Sequence, residues 1–444
     1  MKIVHVGNYD GGDGGHIAAY RLHSGLQRLG HDSSMFVCES RNGVNDPTVM
    51  LYRPATDLMS RIRRRLRHER IIRKFSSYRN SRPVNAEFFT DDRTPHGGDL
   101  LSQLPAADVI HVHAFRLVAD YQAFLAKVPN HTPVVRTMHD MNFFTGGCHY
   151  DQECGKFAER CGACPQLGSQ KENDLSRQIW QRKHAALTTV DPRHLYPVTP
   201  SRWLAEEARR SSLLRNFPIT VIPLGLDTDA FCPRDRTLAR EVLGVPQDAR
   251  VILFVAEPIT RRHKGFALLA QALSGLNGIP KLLLMTAGSG KAPAEVAIPH
   301  LRLDHIPNER LLSFVYSAAD IFVIPSLQEV FGQTALEAIA CGTPVVGFSV
   351  GGIPDMVRLG VTGLLAPPQD VAALRGAIND LLQDPEKQAE ISANCRRIAL
   401  EEYSLEVQAR HYVQLYERIL ARLDQHPGHV GDGAMSSTRS TGER

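Results

Sequence analysis

Short runs of β-branched and aliphatic residues recur along the whole chain, each followed by a longer stretch of helical pattern. In the first half they are KIVHV (2–6), SSMFVC (33–38), DVIHVH (108–113), PVVRT (133–137), LYPVT (195–199) and ITVIP (219–223). In the second half they are RVILFV (250–255), KLLLMTA (281–287), DIFVIP (320–325) and TPVVGF (343–348). Strands separated by helices imply βαβ units and parallel sheets. Two such series in one chain predict an α/β protein of two doubly wound, Rossmann-like domains facing a cleft, with ligands at the carboxyl ends of their strands. At 444 residues the chain is also too long for one core. Periodicity breaks in PLGLDTDAFCPRDR (223–236), which sets the expected domains at 1–228 and 229–403. The last stretch, 425–444, is polar and Gly/Ser-rich, and is expected to be disordered.

Composition narrows the function. Hydrophobic residues make up 43% and charged ones 22%, as in a soluble globular protein, and a net charge of +4 is too small to suggest nucleic acid. No apolar run approaches the ~18 residues of a membrane span. The opening MKIVHVG reads as a buried strand rather than a leader, so a cytoplasmic location is expected. Eight cysteines in such a chain argue against a disulfide framework.

Three clusters carry chemistry. In SLQEVFGQTALEAIACGTPVV (326–346), Glu329 and Glu337 stand eight positions apart around a helix opened by Gly332 and capped near Gly342. Free amides at such a helix start suit a diphosphate, and carboxylates accept hydroxyl hydrogen bonds from a ribose and a sugar ring. The ordinary alternative is a solvated helix glutamate beside a loop acid. In AEPITRRHKGFALLAQAL (256–273), Arg261, Arg262 and Lys264 bring three cations to the mouth of a strand, again suited to a diphosphate. The first-domain loop GNYDGGDGGHIAAYRL (7–22) offers close backbone approach at Gly14 and Gly15. A dinucleotide site competes there, with Glu39 as its ribose acid, but the third glycine of that fingerprint is missing. VVRTMHDMNFFTGGC (134–148) places His139 and Asp140 just past a strand, facing the same cleft.

Two further stretches stand apart. Cys148, Cys154, Cys161 and Cys164 lie within CHYDQECGKFAERCGACP and end in a Cys-x2-Cys knuckle, which suits a structural zinc, with His149 as an alternative ligand. Free or redox-active thiols are the other reading. DLMSRIRRRLRHERIIRKF (57–75) carries eight Lys/Arg and one Glu, with Leu58, Ile62 and Leu66 on one stripe. Such a helix lies on an anionic membrane surface, or packs by its stripe and leaves its charges solvated.

EVFGQTALEAIACGTPVVGFSVGGIPDMV (329–357) resembles the donor-binding signature of glycosyltransferase family 4, retaining enzymes of the GT-B fold. VTPSRWL, VIPLGLDTDAF, KGFALLAQAL and the final YSLE…YVQLYERIL extend the resemblance over nearly the whole chain. It implies that Glu337 binds the nucleotide ribose. It implies that Glu329 and the segment Val330, Phe331, Gly332, Gln333 and Thr334 hold the transferred sugar and phosphates. Lys264 and Arg262 would stabilise the leaving diphosphate, His139 would touch the donor sugar, and Asp140 would orient His139. The resemblance places the last helix, 404–424, back on the first domain. It makes Asp227 and Asp229 part of a structural linker, so that no catalytic metal is required. The cysteine insert resembles a subgroup linked to colanic-acid and other exopolysaccharide synthesis. The expected function is transfer of a sugar from a UDP- or GDP-sugar to a saccharide or lipid-linked saccharide. A nucleotide-sugar epimerase or phosphorylase of the same build, an NAD-linked oxidoreductase and a non-catalytic sugar binder remain open alternatives.

Overall fold

The computed structural model describes residues 1–41, 46–114, 120–128, 132–292 and 294–425. Seven strands, β1 (Lys2–Tyr9), β2 (Asp32–Glu39), β3 (Val49–Leu51), β4 (Val109–Val112), β5 (Val134–Thr137), β6 (Leu195–Thr199) and β7 (Thr220–Val221), form the first sheet. Its order is β3-β2-β1-β4-β5-β6-β7, with every pairing parallel. Six more, β8 (Arg250–Val255), β9 (Leu282–Ala287), β10 (His300–Leu303), β11 (Ile321–Ile324), β12 (Val345–Phe348) and β13 (Gly363–Ala366), form a second parallel sheet. Its order is β10-β9-β8-β11-β12-β13. In both sheets the order of connection reverses beside the first strand, at β1/β4 and β8/β11, and crevices open at such points.

The strands β3, β10 and β13 are additions to the sequence reading. Each is an edge strand of three or four residues, two of them only half-buried, so the apolar run that marks a central strand is absent.

The helices in chain order are α1 (Gly14–Arg28), α2 (Leu58–Ser76), α3 (Tyr121–Lys127), α4 (Leu175–Thr188), α5 (Arg202–Arg210), α6 (Arg236–Leu243) and α7 (Phe266–Ser274). They continue with α8 (Glu309–Ala318), α9 (Gln333–Ala340), α10 (Ile353–Met356), α11 (Val371–Gln383), α12 (Pro385–Glu402) and α13 (Leu405–Gln425). None of the described helices is long and apolar enough to cross a membrane.

The chain passes between the sheets twice, and the two crossings are tied together. Leu226 N donates to Tyr403 O at 3.0 Å, and Leu405 N to Leu226 O at 3.1 Å. In the linker Asp227 pairs with Arg28 and accepts the backbone N–H groups of Asp229 and Ala230. That is a structural use of its carboxylate. Beyond the second crossing, α13 returns to the first sheet. Its Tyr412, Leu415, Tyr416 and Ile419 close an apolar cluster with Ile3, Leu22, Leu26, Val135 and Val198. The contact with α1 is so close that a Cβ on Gly25 would stand 2.8 Å from Leu405 O. Gln425 belongs to this helix rather than to the tail, and 426–444 lie outside the described residues.

Candidate functional site

The loop between β11 and α9 carries the first carboxylate and α9 the second. Glu329 and Glu337 are both buried. The loop is backed by the glycine pair that follows β12: Gly352 N donates to Glu329 O at 2.9 Å, and a Cβ on Gly351 would sit 1.9 Å from that oxygen. Gly332, with φ of +97°, turns the chain into α9, whose start has no side-chain cap, whereas α1, α4 and α8 are capped by Asp13, Asp174 and Asn308. The first amides of α9 are therefore left to another acceptor. Val330 and Phe331 are buried, and Gln333 and Thr334 half-buried, around that start.

The cationic loop after β8 closes on the same place. Lys264 Nζ donates to Glu329 Oε2 at 2.6 Å. Lys264 is held there by Gly265, which at φ +75° lies so near the end of β11 that a Cβ would meet Pro325 O at 1.7 Å. Arg261 and Arg262 are exposed beside it.

Glu337 takes its cation from the other domain. Arg21, a buried residue of α1, donates from Nη2 to Glu337 Oε1 at 3.0 Å and to Glu309 Oε1 at 2.7 Å. Its Nη1 donates to Gln333 Oε1 at 3.2 Å, and its guanidinium stands 5.3 Å from the centre of the Phe231 ring. Tyr316 donates its hydroxyl to Glu337 Oε2 at 3.0 Å. Burial raises the Glu337 carboxyl above its usual range, and Arg21 is the main group pulling it back towards the ionised form. Gln333 also donates to Gly14 O at 2.6 Å, so the glycine loop and the α9 start meet directly.

His139 packs its Cβ against Gly15, where a Cβ on the glycine would lie at 3.3 Å. The expectation that Asp140 orients His139 is not what the structure shows. Asp140 Oδ2 meets His149 Nδ1 at 2.6 Å, and its Oδ1 accepts from Asn142 N at 2.8 Å. Burial raises the Asp140 carboxyl, but the His149 pairing outweighs it and holds the group at about 2. The partner of His139 is instead His113, Nε2 to Nδ1 at 3.2 Å, and His113 in turn meets His5 at 2.9 Å. Adjacency in HD suggested the wrong hydrogen-bonded pair, because the carboxylate is taken by a histidine nine residues further on.

His149 has both ring nitrogens in hydrogen bonds, Nδ1 with Asp140 and Nε2 with Thr90 Oγ1 at 3.0 Å. Cys148, Cys154, Cys161 and Cys164 are free thiols lining one cavity of about 20 Å³, with Asp151 and Lys156 beside them. Donor type and enclosure fit zinc, yet their sulfurs are not drawn into a tight set. Among the described residues, the ligand atoms that all lie within 4.8 Å of one another belong to His5, His111 and His113. Those rings are already committed: His111 to Tyr416 and Thr137, His113 to His5 and His139. The cysteine segment also reaches the second domain. Tyr150 lies 5.3 Å from the His263 ring, Gln328 donates to Asp151 at 3.3 Å, and Glu87, just before the segment's bridge partner Phe89, meets His263 at 3.2 Å.

Comparison with known proteins agrees with this geometry. Residues 235–398 match the family described as Glycosyl transferases group 1. A D-inositol 3-phosphate glycosyltransferase from Thermobispora bispora is 30% identical over 336 residues, 71% of this chain and 72% of that protein. The chain belongs to the group 1 glycosyltransferases. A namesake from Geodermatophilus obscurus is 38% identical over 201 residues, covering 40% of this chain and 43% of its own. Among solved structures, sucrose-phosphate synthase from Thermosynechococcus elongatus superposes with a TM-score of 0.65 at 21% identity, covering 95% of this chain and all of the other (100%). Anabaena Alr3699/HepE in complex with UDP-glucose does so with a TM-score of 0.60 at 15% identity, covering 94% and 100%. These confirm a two-domain GT-B glycosyltransferase fold. Membership of the family sets aside the dinucleotide reading, and Glu39 is bonded to Arg41 at the surface.

Arg21, Tyr316, Glu309 and His113 escaped the sequence reading. Arg21 sits in an ordinary amphipathic helix, and its partners lie about 290 to 320 residues away along the chain. For His113 the signal was present, since HVH ends a buried strand where a polar residue needs a partner.

The group 1 glycosyltransferase thus encloses a set of neutral histidines. Burial lowers His5, His111 and His113 well below the usual range, His23 to about 4 and His139 to about 3. Unfolded histidines take up a proton near pH 6.5, so below that pH the unfolded chain binds protons that the folded chain refuses. Stability is then lost as pH falls from about 6.5 towards 4, by about 1.4 kcal/mol per pH unit for each such residue. The urea midpoint is expected to drop steeply between pH 7 and pH 5; a flat midpoint across that window would contradict the burial of neutral rings.

Proposed function

We propose that the protein is a retaining hexosyltransferase that moves a sugar from a UDP- or GDP-sugar to a hydroxyl of a saccharide or lipid-linked saccharide in polysaccharide synthesis. The observation that carries the reading is the pair of buried carboxylates at the α9 start, one facing Lys264 and the other Arg21. Glu337 is placed to accept the ribose hydroxyls on its remaining lone pairs. The uncapped α9 amides, Lys264 and Arg262 are placed for the diphosphate, where charge develops as the sugar leaves. Glu329 and His139 face the sugar; His139, neutral at physiological pH, serves as a hydrogen-bonding group and not as an acid.

Retention follows without a protein nucleophile. The acceptor oxygen bonds to the anomeric carbon on the face from which the diphosphate departs, and its proton passes to the departing phosphate oxygen. A double displacement needs a carboxylate at the anomeric carbon. Glu329 is paired with Lys264 and Asp140 with His149, so both of these acids are already engaged. The named relatives act on D-inositol 3-phosphate, which makes a phosphorylated polyol the second acceptor to try.

Thermal unfolding with UDP-, GDP- and ADP-sugars and NAD(H) tests the donor site. One nucleotide-sugar is expected to raise the midpoint, by about 2.7 kcal/mol of added stability at a hundredfold excess over Kd, and Glu337→Ala to abolish the rise. A rise with NAD(H) alone would overturn the reading.

The four cysteines support a structural zinc that holds the segment between His139 and α4, with no part in the transfer. Metal analysis of the purified chain is expected to find one zinc per chain, lost in Cys161→Ser/Cys164→Ser; a protein without zinc and with four titratable thiols here would exclude it.

A further inference from the structure

The helix α2 is attached to the protein by the face that the sequence would leave in water. Its half-buried positions are Ser60, Arg64, Arg67, Ile71 and Phe75, spaced three or four apart along one side. Arg67 donates to Thr94 O at 2.7 Å and pairs with Asp120; Phe75 stacks on Phe89 at 5.9 Å; Lys74 donates to Gln178 at 3.0 Å. These contacts turn the opposite side outward, and that side bears the apolar stripe. Leu58, Met59, Ile62 and Leu66 are between 43% and 69% exposed, and no residue of the helix is buried. An amphipathic helix of a globular protein ordinarily does the reverse. An apolar row held outward along about 12 Å of helix, from Leu58 to Leu66, marks a surface that meets something else.

The charges say what. Stepping round the helix, Arg61 and Arg65 border one side of the stripe and Arg63 and Arg70 the other, all exposed, with Arg73 and Lys74 exposed in the last turn. The single acid of the helix, Glu69, is paired with Arg65 at 3.0 Å, and the N-cap Asp57 accepts from Ser60 N at 2.9 Å. A second copy of the chain laid on the stripe would bring arginines against arginines. A bilayer with anionic headgroups accepts both features at once: the stripe enters at the acyl boundary while the arginines reach to the phosphates.

We infer that α2 is a membrane-docking helix that lies flat on an anionic lipid surface through Leu58, Met59, Ile62 and Leu66, flanked by Arg61, Arg63, Arg65 and Arg70. This is independent of the donor-site reading. The full chain is mixed with vesicles of phosphatidylcholine alone or with phosphatidylglycerol added, and bound protein is separated by sedimentation. Binding is expected only with phosphatidylglycerol, and to weaken with salt. Arg61→Gln/Arg63→Gln/Arg65→Gln/Arg70→Gln removes four charges, each contributing to surface attraction, and should weaken binding about tenfold or more. Ile62→Ser/Leu66→Ser should weaken it comparably. All six side chains are exposed, so both variants keep the wild-type unfolding midpoint. Equal binding to neutral vesicles, no binding to either, or wild-type binding by both variants overturns the inference. A dimer of the wild type that Ile62→Ser/Leu66→Ser dissolves, without vesicle binding, would assign the stripe to a second copy instead.

Discussion

Two carboxylates buried at one helix start set the terms for the rest of this structure. A buried carboxylate without a partner is driven to its neutral form, at a cost of several kcal/mol in the charged state. The chain answers from two directions. Lys264 comes from the loop after the adjacent strand of the same sheet, and Arg21 from the opposite domain. The second answer makes the site a property of both domains, because the cation that draws Glu337 towards its ionised form is in place only while α1 stays against α8 and α9.

That dependence explains features far from the cleft. The orientation of α1 is fixed on its other side by α13, through the close approach at Gly25 and the pairing of Arg28 with Asp227 and Glu406. The returning helix therefore does more than cover apolar surface: it holds the element that carries Arg21. Tyr412 and Tyr416 of α13 also donate to or accept from Thr137 and His111, which lead to the strand ends beside His139. The first-domain contribution to the cleft is thus braced by the last of the described helices.

How much of this was legible in the sequence depended on whether the determining contact was local. The central strands and the α9 start were readable, because apolar runs, Gly332 and the carboxylate spacing lie within a few residues of what they determine. The edge strands β3, β10 and β13 were not, being short and half-exposed or opened by glycine. Asp140 shows the limit at the site: its neighbour His139 was the obvious partner by spacing, and its actual partner His149 was read only as an alternative metal ligand. The outward stripe of α2 was likewise undecidable, since periodicity reveals that a helix has two faces and not which one the protein holds. Arg21 was invisible for the plainest reason, that nothing near it in the chain marks a residue whose partners come from a second domain.

The central claim is that Arg21 and Glu337 act on the donor nucleotide as one unit. It is tested most directly by calorimetric titration with UDP and GDP, following whichever binds the wild type in Arg21→Gln, Glu337→Gln and the double variant. Each single change is expected to weaken binding, and the double variant to bind no more weakly than the poorer single one, a coupling of about 1–3 kcal/mol. Losses that simply add, or an Arg21→Gln variant that binds that nucleotide like the wild type, would contradict it.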